Sequence, residues 1–309
     1  MMEVVLKTKN LSKKFGNVFA IKDVNINIEK GDIYGFVGKN GSGKTTILRL
    51  ITSLTLPSSG DIYLFGKDIN KCDISTKSRM GAVIENSAFY PNLSAYDNLE
   101  FYRIQKGIVD KNIIDKILEV VNLRSTGKKK FKNFSLGMKQ RLGLALAIMN
   151  NPDLLILDEP LNGLDPMGIA EFREIIKKLN KDYNMTIILS SHILSELSQV
   201  ATKFGFINEG ALIKEITEKE LVKQCNKNLS IIVDNIEKAV VILENNLKID
   251  KFTLLENNEI RLYDYLDNPS EIAFQLSSNG VRINSIKEIG LTLEEYFIQL
   301  ISNNNLEVL

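Results

Sequence analysis

The sequence predicts an α/β fold with a mixed sheet at its core, followed by a smaller α+β domain. Three observations carry that expectation. An apolar run, Ile33 to Val37, leads into Gly38-Lys39-Asn40-Gly41-Ser42-Gly43-Lys44-Thr45-Thr46, and helical apolar spacing follows (Ile47, Leu48, Ile51, Leu54). A second continuous apolar run, Leu154 to Leu157, suits a central parallel strand and ends in Asp158-Glu159-Pro160. From about Thr217 the order becomes β-α-β-β-α-β plus a last helix, the split pattern of ferredoxin-like domains. The expected boundary divides residues 1–216 from residues 217–309.

With 309 residues the chain has room for one large or two modest domains. Charged residues make up 25% of it, yet the net charge is only +1. That near-neutrality argues against a broad basic face, so no direct nucleic-acid partner is expected. No stretch approaches the roughly 18 to 20 uninterrupted apolar residues of a membrane helix, so the chain is not itself a membrane-spanning permease. Met1 to Lys9 lacks the basic-then-apolar pattern of a secretion signal, which implies a cytoplasmic location. Cys72 and Cys225 lie far apart without metal-type spacing and are expected to be reduced and incidental.

In chain order, Val4 to Lys9 reads as a strand, and the alternation from Ile21 to Ile28 suits a half-buried antiparallel strand. Between them Phe15 can either pack or stack on a nucleotide base. The segment from Gly38 matches G-x-x-x-x-G-K-[ST], a phosphate-binding loop. Its glycines let successive N–H groups face phosphate oxygens, Lys44 reaches the β and γ phosphates, and the Thr45 hydroxyl can ligate Mg²⁺. The helix starts at the loop, so the anion meets a helix N-terminus. A nucleoside triphosphate is therefore the expected ligand.

Pro57 to Gly60 reads as a turn, Asp61 to Phe65 as a short strand, and Gly81 to Ile84 as a buried strand ending at Glu85, with a loop from Asn86 to Pro91. Helices are expected from Ser94 to Lys106 and from Asp110 to Val121. Lys128-Lys129-Lys130 reads as a solvated loop. Ser135-Leu136-Gly137 precedes a helix from about Met138 to Met149, where a serine can serve as N-cap. Asp158 and Glu159 close a strand at the edge where open α/β sheets bind ligands. Asp158 would hold Mg²⁺ directly or through water, and Glu159 would orient or deprotonate an attacking water. A helix from Pro166 to Asn180 and a strand from Thr186 to Leu189 lead to Ser190-Ser191-His192. His192 is the only histidine, and at a core strand's end it is expected to sense the γ-phosphate. Phe204 to Asn208 and Ala211 to Lys214 read as a closing hairpin.

The last third reads as helix Glu218 to Cys225, strand Leu229 to Val233, helix Ile236 to Leu247, and strands Phe252 to Leu255 and Glu259 to Asp264. Helix Pro269 to Ser278, strand Val281 to Ile286 and helix Thr292 to Ile301 complete it. With no phosphate loop, metal cluster or nucleophile-base pair, the region is expected to bind or regulate rather than catalyse.

Taken in order, five motifs resemble the ATP-binding cassette family of ATPases over roughly Val4 to Ile216. They are Phe15, the loop Gly38 to Thr46, the signature Ser135-Leu136-Gly137, the pair Asp158-Glu159 with Asn162-Gly163-Leu164-Asp165 after it, and His192. The resemblance implies a P-loop NTPase core with an antiparallel β subdomain and a helical subdomain, and ATP with Mg²⁺ as ligands. It implies a head-to-tail dimer, homomeric or heteromeric, with each ATP between the phosphate loop of one subunit and the signature of the other. Ser135 and Gly137 would then bind the γ-phosphate of the partner's ATP, and Asp165 would communicate between the sites. A separate transmembrane permease on the cell membrane is also implied, with this subunit peripheral on the inner face.

Two departures from the family pattern stand out. The signature reads Phe-Ser-Leu-Gly-Met rather than Leu-Ser-Gly-Gly-Gln, so contacts from Leu136 and Met138 must be backbone or apolar. Glu85 stands where most members have glutamine; its carboxylate can still ligate Mg²⁺ but adds negative charge near the triphosphate. Both resemble the bacterial branch that exports peptide antibiotics, including bacitracin-type and lantibiotic self-protection transporters, and the C-terminal extension fits that branch. The alternative is a soluble cassette ATPase acting on nucleic acid or ribosomes. Those relatives resemble two fused cassettes or one split by a long coiled coil, whereas this chain has one phosphate loop, one signature and no sustained heptad.

Overall fold

The computed structural model describes residues 3–85, 88–225, 228–255, 257–263, 268–291 and 293–306. The chain divides into two compact units, Met1–Glu218 and Lys219–Leu309.

In the first unit the strands Ile33–Val37, Leu154–Leu157 and Thr186–Ser191 are buried at every position. A strand apolar on both faces is stable only with both faces covered, and the centre of a parallel sheet supplies that cover. These three pair in parallel within a six-stranded sheet ordered Ala211–Thr217, Lys203–Asn208, Ile33–Val37, Thr186–Ser191, Leu154–Leu157, Met80–Val83. Ala211–Thr217 runs antiparallel to Lys203–Asn208, which makes the sheet mixed. The register sets Val37 beside Ser191 and Leu157 beside Leu189. The strand ends that carry Gly38, Asp158 and His192 are therefore neighbours.

A second sheet is antiparallel and built on Val4–Phe15, which pairs with Val18–Val24, Asn27–Glu29 and Ser59–Leu64. One strand reaches three partners because Asn27–Glu29 pairs along Val4 to Lys7, Val18–Val24 along Leu11 to Phe15, and Ser59–Leu64 along Leu6 to Ser12. Asn10, left-handed at φ 47°, falls between the first two stretches, and the register shifts between Leu11 and Lys13. That irregularity breaks the alternation by which a strand is read, so the strand runs on to Phe15 rather than ending at Lys9. The expected strand from Ile21 to Ile28 is likewise two strands. Asp23 is left-handed at φ 49°, and the Asn25 amide donates to Asn10 Oδ1 and to the Asp23 carbonyl, which stops the ladder between them. Leu6, Leu11, Ile21, Phe36, Ile47 and Ile156 belong to one core shared by both sheets. Each contributes about 1.5–3 kcal/mol of burial.

Helix ends follow local capping chemistry. Ser94 and Asp97 form a reciprocal capping box at the start of Ala95–Gln105. The next helix, Ile113–Val120, begins later than the expected Asp110. The helix Leu136–Ile148 starts before the expected Met138, because the Ser135 hydroxyl accepts a hydrogen bond from the Met138 N–H at 3.3 Å. Lys44–Ile51 stops short of Leu54, where Ser53 turns left-handed at φ 58° and Leu54 points into solvent. Pro166–Tyr183 continues past Asn180 until Asn184 takes the left-handed C-terminal position at φ 53°. Asn86, in the expected loop after Glu85, lies outside the described residues.

The second unit contains a four-stranded antiparallel sheet ordered Phe252–Leu255, Glu259–Leu262, Asn228–Val233, Ile283–Ile289. Helices Ile236–Asn245 and Pro269–Ser278 make the two crossovers, so the order is that of two interleaved β-α-β units. Leu229, Ile231 and Val233 alternate along the central strand onto one core with Leu243, Ile260 and Leu276. The last strand lies at Ile283–Ile289 rather than Val281 to Ile286, since Val281 N–H is used by the Leu276 carbonyl to close the preceding helix. The hairpin strand ends at Leu262, and the final helix runs Leu293–Leu306. Asp264 and Thr292, expected at the ends of these elements, lie outside the described residues.

Candidate active site

Gly38 follows the central strand and Gly43 precedes the helix Lys44–Ile51, and both positions demand glycine. A Cβ on Gly38 would collide with Ser42 Oγ and the Ile207 carbonyl, and Gly43 sits at φ +110° with Ile21 Cδ1 only 2.6 Å from its would-be Cβ. With glycine as N-cap, no side chain takes the first N–H groups of the helix. They are the donors that an anion accepts. Asn40, Gly41, Gly43, Lys44, Thr45, Thr46 and Glu159 line a cavity of about 210 Å³ at this point. Ser42 Oγ is buried with no hydrogen-bond partner among the described residues. A basic, donor-rich cradle with an unsatisfied hydroxyl fits a phosphate chain.

Lys44 is 5% exposed, and its ammonium donates to the carbonyls of Gly38 at 2.7 Å and Lys39 at 3.2 Å. It also stands 3.2 Å from Glu159 Oε1, while His192 Nδ1 lies 2.9 Å from Glu159 Oε2. The Glu159 carboxylate is thus held from both sides by the two residues expected to face the γ-phosphate. Its backbone is left-handed at φ 46°, an unfavourable setting for a non-glycine residue.

Ser190 explains how that backbone is kept. Its hydroxyl donates to Asp158 Oδ1 at 2.7 Å and accepts from the Glu159 N–H at 2.7 Å, so one side chain orients the Asp158 carboxylate and fixes the Glu159 backbone. The sequence marked Ser190 only as a neighbour of His192. The signal that could have found it is register: Leu157 pairs with Leu189, which sets Ser190 beside Asp158. Glu196 was also not anticipated. Burial raises its pKa above the usual carboxylate range, with His192 opposing and Glu159 adding to the shift.

A larger cleft of about 580 Å³ brings Glu85, Asp158 and Glu159 together with Phe89, Phe131 and Gln140. Glu85 is left-handed at φ 62° and ion-paired with Arg49 on the helix that follows the phosphate loop. That cation offsets the extra charge which a carboxylate brings at this position. Among the described residues, no group of three or more His, Cys, Asp or Glu side chains forms a metal cage. Mg²⁺ needs none, since it is commonly held by one or two carboxylates together with substrate phosphates and water. Thr45, Asp158 and Glu85 supply hard oxygen donors of that kind.

Ser135, Leu136, Gly137 and Asp165 meet elsewhere, in a groove of about 370 Å³ that none of the phosphate-loop residues lines. Asp165 caps the following helix, its Oδ1 accepting from the Gly168 N–H at 3.0 Å. Phe15 ends its strand on the surface, with the Lys13 ammonium 5.1 Å from its ring centre. It is 54% exposed, so it is available to stack and is not a packed core aromatic.

The ABC transporter family profile matches residues 21–162. The bacitracin transport ATP-binding protein BcrA of Bacillus licheniformis is 41% identical over 305 residues, spanning 99% of this chain and 100% of the relative. The chain belongs to the ABC transporter ATP-binding family. Within that family, the ATP-binding protein YcbN of Bacillus subtilis (strain 168) is 39% identical over 99% of both chains. The lantibiotic transport ATP-binding protein SrtF of Streptococcus pyogenes is 46% identical over 211 residues, 68% of this chain and 90% of SrtF. Among solved structures, the ATP-binding cassette MJ0796, as a dimer in a post-hydrolysis state bound to ADP and Pi, is similar at a TM-score of 0.61. It is 26% identical and covers 69% of this chain and 98% of its own. This ABC protein is accordingly an ATPase, and its first unit is the ABC fold.

Proposed function

We propose that the chain is the ATP-hydrolysing subunit of a bacterial exporter for a peptide antibiotic or similar drug. The observation that carries this reading is similarity to a bacitracin transport ATP-binding protein along the whole chain, second unit included. Among the described residues no helix is long and apolar enough to cross a membrane. A separate transmembrane permease would supply the pathway, with this subunit peripheral on the membrane's inner face. The helical segment after Glu85 exposes Tyr90, Tyr96, Phe101 and Ile104, the kind of apolar surface that suits such a partner.

ATP would sit with its phosphates in the loop Gly38 to Thr46, its base against Phe15 and its γ-phosphate between Lys44 and His192. Bound Mg²⁺, held by Thr45, Asp158 and Glu85, would supply charge neutralisation at the phosphate oxygens. Glu159 would orient and deprotonate the attacking water, and His192 would hold the γ-phosphate oxygen as charge shifts to it. Ser135 and Gly137 would complete the site of a second cassette subunit, identical or not, in a head-to-tail dimer. Closing that dimer on ATP and reopening it after hydrolysis would drive the permease.

Replacing Phe15 by alanine should weaken ATP binding about tenfold, within the range for base–aromatic stacking, and tyrosine should restore it. A fluorescent-nucleotide titration reads this directly, and equal affinities for all three proteins would assign Phe15 no stacking role. The exporter reading is tested by purifying the tagged Glu159→Gln protein from gently solubilised native membranes in the presence of ATP. A polytopic membrane protein should come with it in stoichiometric yield. Recovery only from the soluble fraction, with ribosomes or nucleic acid attached, would replace the exporter reading by one in which the same ATPase serves a different partner.

A further inference from the structure

Two glycines and two leucines interlock the signature with the loop that follows the catalytic carboxylates. A Cβ on Gly163 would stand 2.9 Å from Leu136 Cδ2, and a Cβ on Gly137 would stand 3.3 Å from Leu164 Cδ2. Each leucine thus lies over the other segment's glycine. The same segments are joined by Gln140 Nε2 donating to the Asn162 carbonyl at 3.1 Å, and the helix Leu136–Ile148 is tied to the helix Pro166–Tyr183 beyond the loop by the ion pair of Arg141 with Glu171 at 2.8 Å. Asn162 N–H in turn donates to the Glu159 carbonyl at 3.1 Å. A continuous set of contacts therefore runs from Leu136, beside Ser135 and Gly137, through Gly163 and Asn162 to Glu159.

Packing alone does not account for Leu136. It is 48% exposed and lines an open groove rather than the core, so its burial adds little to stability. What it does is fill the space above Gly163, a position held at φ +75° where no side chain competes for that space.

We infer that Leu136 is a positioning residue: through Gly163 it ties the placement of Glu159 in one ATP site to the placement of the signature against the other. This rests on the head-to-tail dimer reading above. A shift of the signature on meeting the partner's nucleotide carries Gly163 with it, and Gly163 carries the loop that begins at Glu159. The leucine at the second signature position is then matched to the glycine at 163.

The test compares four full-length proteins: wild type, Leu136→Ala, Gly163→Ala and the double variant. Steady-state ATP hydrolysis, the half-saturating ATP concentration and the thermal midpoint are measured for each. Leu136→Ala should lower kcat about fivefold, within the coupling range of contacting residues, with the other two quantities little changed. Gly163→Ala should lower it more, because its added methyl displaces Leu136 and strains the backbone. The backbone strain is common to both backgrounds and cancels in the comparison. The double variant should be no slower than Gly163→Ala alone. Multiplicative losses would overturn the coupling, as would a Leu136→Ala defect that resides in the half-saturating ATP concentration or in the thermal midpoint. A wild-type protein that hydrolyses ATP as a monomer would overturn the dimer reading and this inference with it. A dimer with multiplicative losses would overturn the inference alone.

Discussion

Glu159→Gln should bind ATP as tightly as the wild type and lose steady-state hydrolysis by a factor of about 10²–10⁴, the contribution of a positioned general base. The amide has the shape of the carboxylate, so its oxygen can still accept from Lys44, which stands 3.2 Å from Oε1. What it cannot do is take a proton. The lesion should therefore fall on the chemical step and not on the proposed phosphate cradle, whose donors would be Lys44 and the uncapped first turn of Lys44–Ile51. Phosphate release from radiolabelled ATP measures the rate, and equilibrium binding of the nucleotide measures affinity. Multiple-turnover hydrolysis at the wild-type rate would remove Glu159 from its role. Loss of binding together with turnover would show that the Lys44–Glu159 pair holds the loop in shape, making Glu159 structural.

The residues around Glu159 show what the sequence could and could not disclose. That Lys44, Glu159 and His192 would meet was legible because each sits at the end of an unbroken apolar strand or in a glycine pattern, signals that survive without coordinates. The Ser190 hydroxyl bridging Asp158 and Glu159 was not, because its role depends on the pairing of two strands that lie 32 residues apart. Elements failed in the same way. The buried strand Leu154–Leu157 and the helix Pro269–Ser278 lie where periodicity puts them. The strand Val4–Phe15 was read short because a left-handed Asn10 interrupts its alternation. Capping shifted the helix Leu136–Ile148 to an earlier start, and that shift is what brings Leu136 into the first turn, over Gly163. Glu85 was legible as an unusual acid, but its counter-charge, Arg49, belongs to another element and becomes visible only in space.

Lys44→Ala should have the opposite signature to Glu159→Gln, with affinity lost first. The ammonium is 5% exposed and already fixed by the carbonyls of Gly38 and Lys39, so little conformational entropy remains to be given up when phosphate oxygens arrive. Charge-assisted hydrogen bonds of this kind contribute about 1.5–3 kcal/mol each, which makes a loss of about 100-fold in ATP affinity the expected result. The neighbouring carboxylate adds to it. Without Lys44, Glu159 faces the triphosphate with its cation removed, and repulsion replaces attraction. Pairing the two substitutions separates these contributions: in a Glu159→Gln background the affinity cost of Lys44→Ala should be smaller, since no uncompensated charge is left behind. Arginine should not rescue the site, because a planar guanidinium needs more room than this enclosed position offers a point charge. If Lys44→Ala bound ATP within twofold of the wild type, the phosphate chain would have to be held by backbone N–H groups alone, and Lys44 would be left as the cation that holds Glu159 in place.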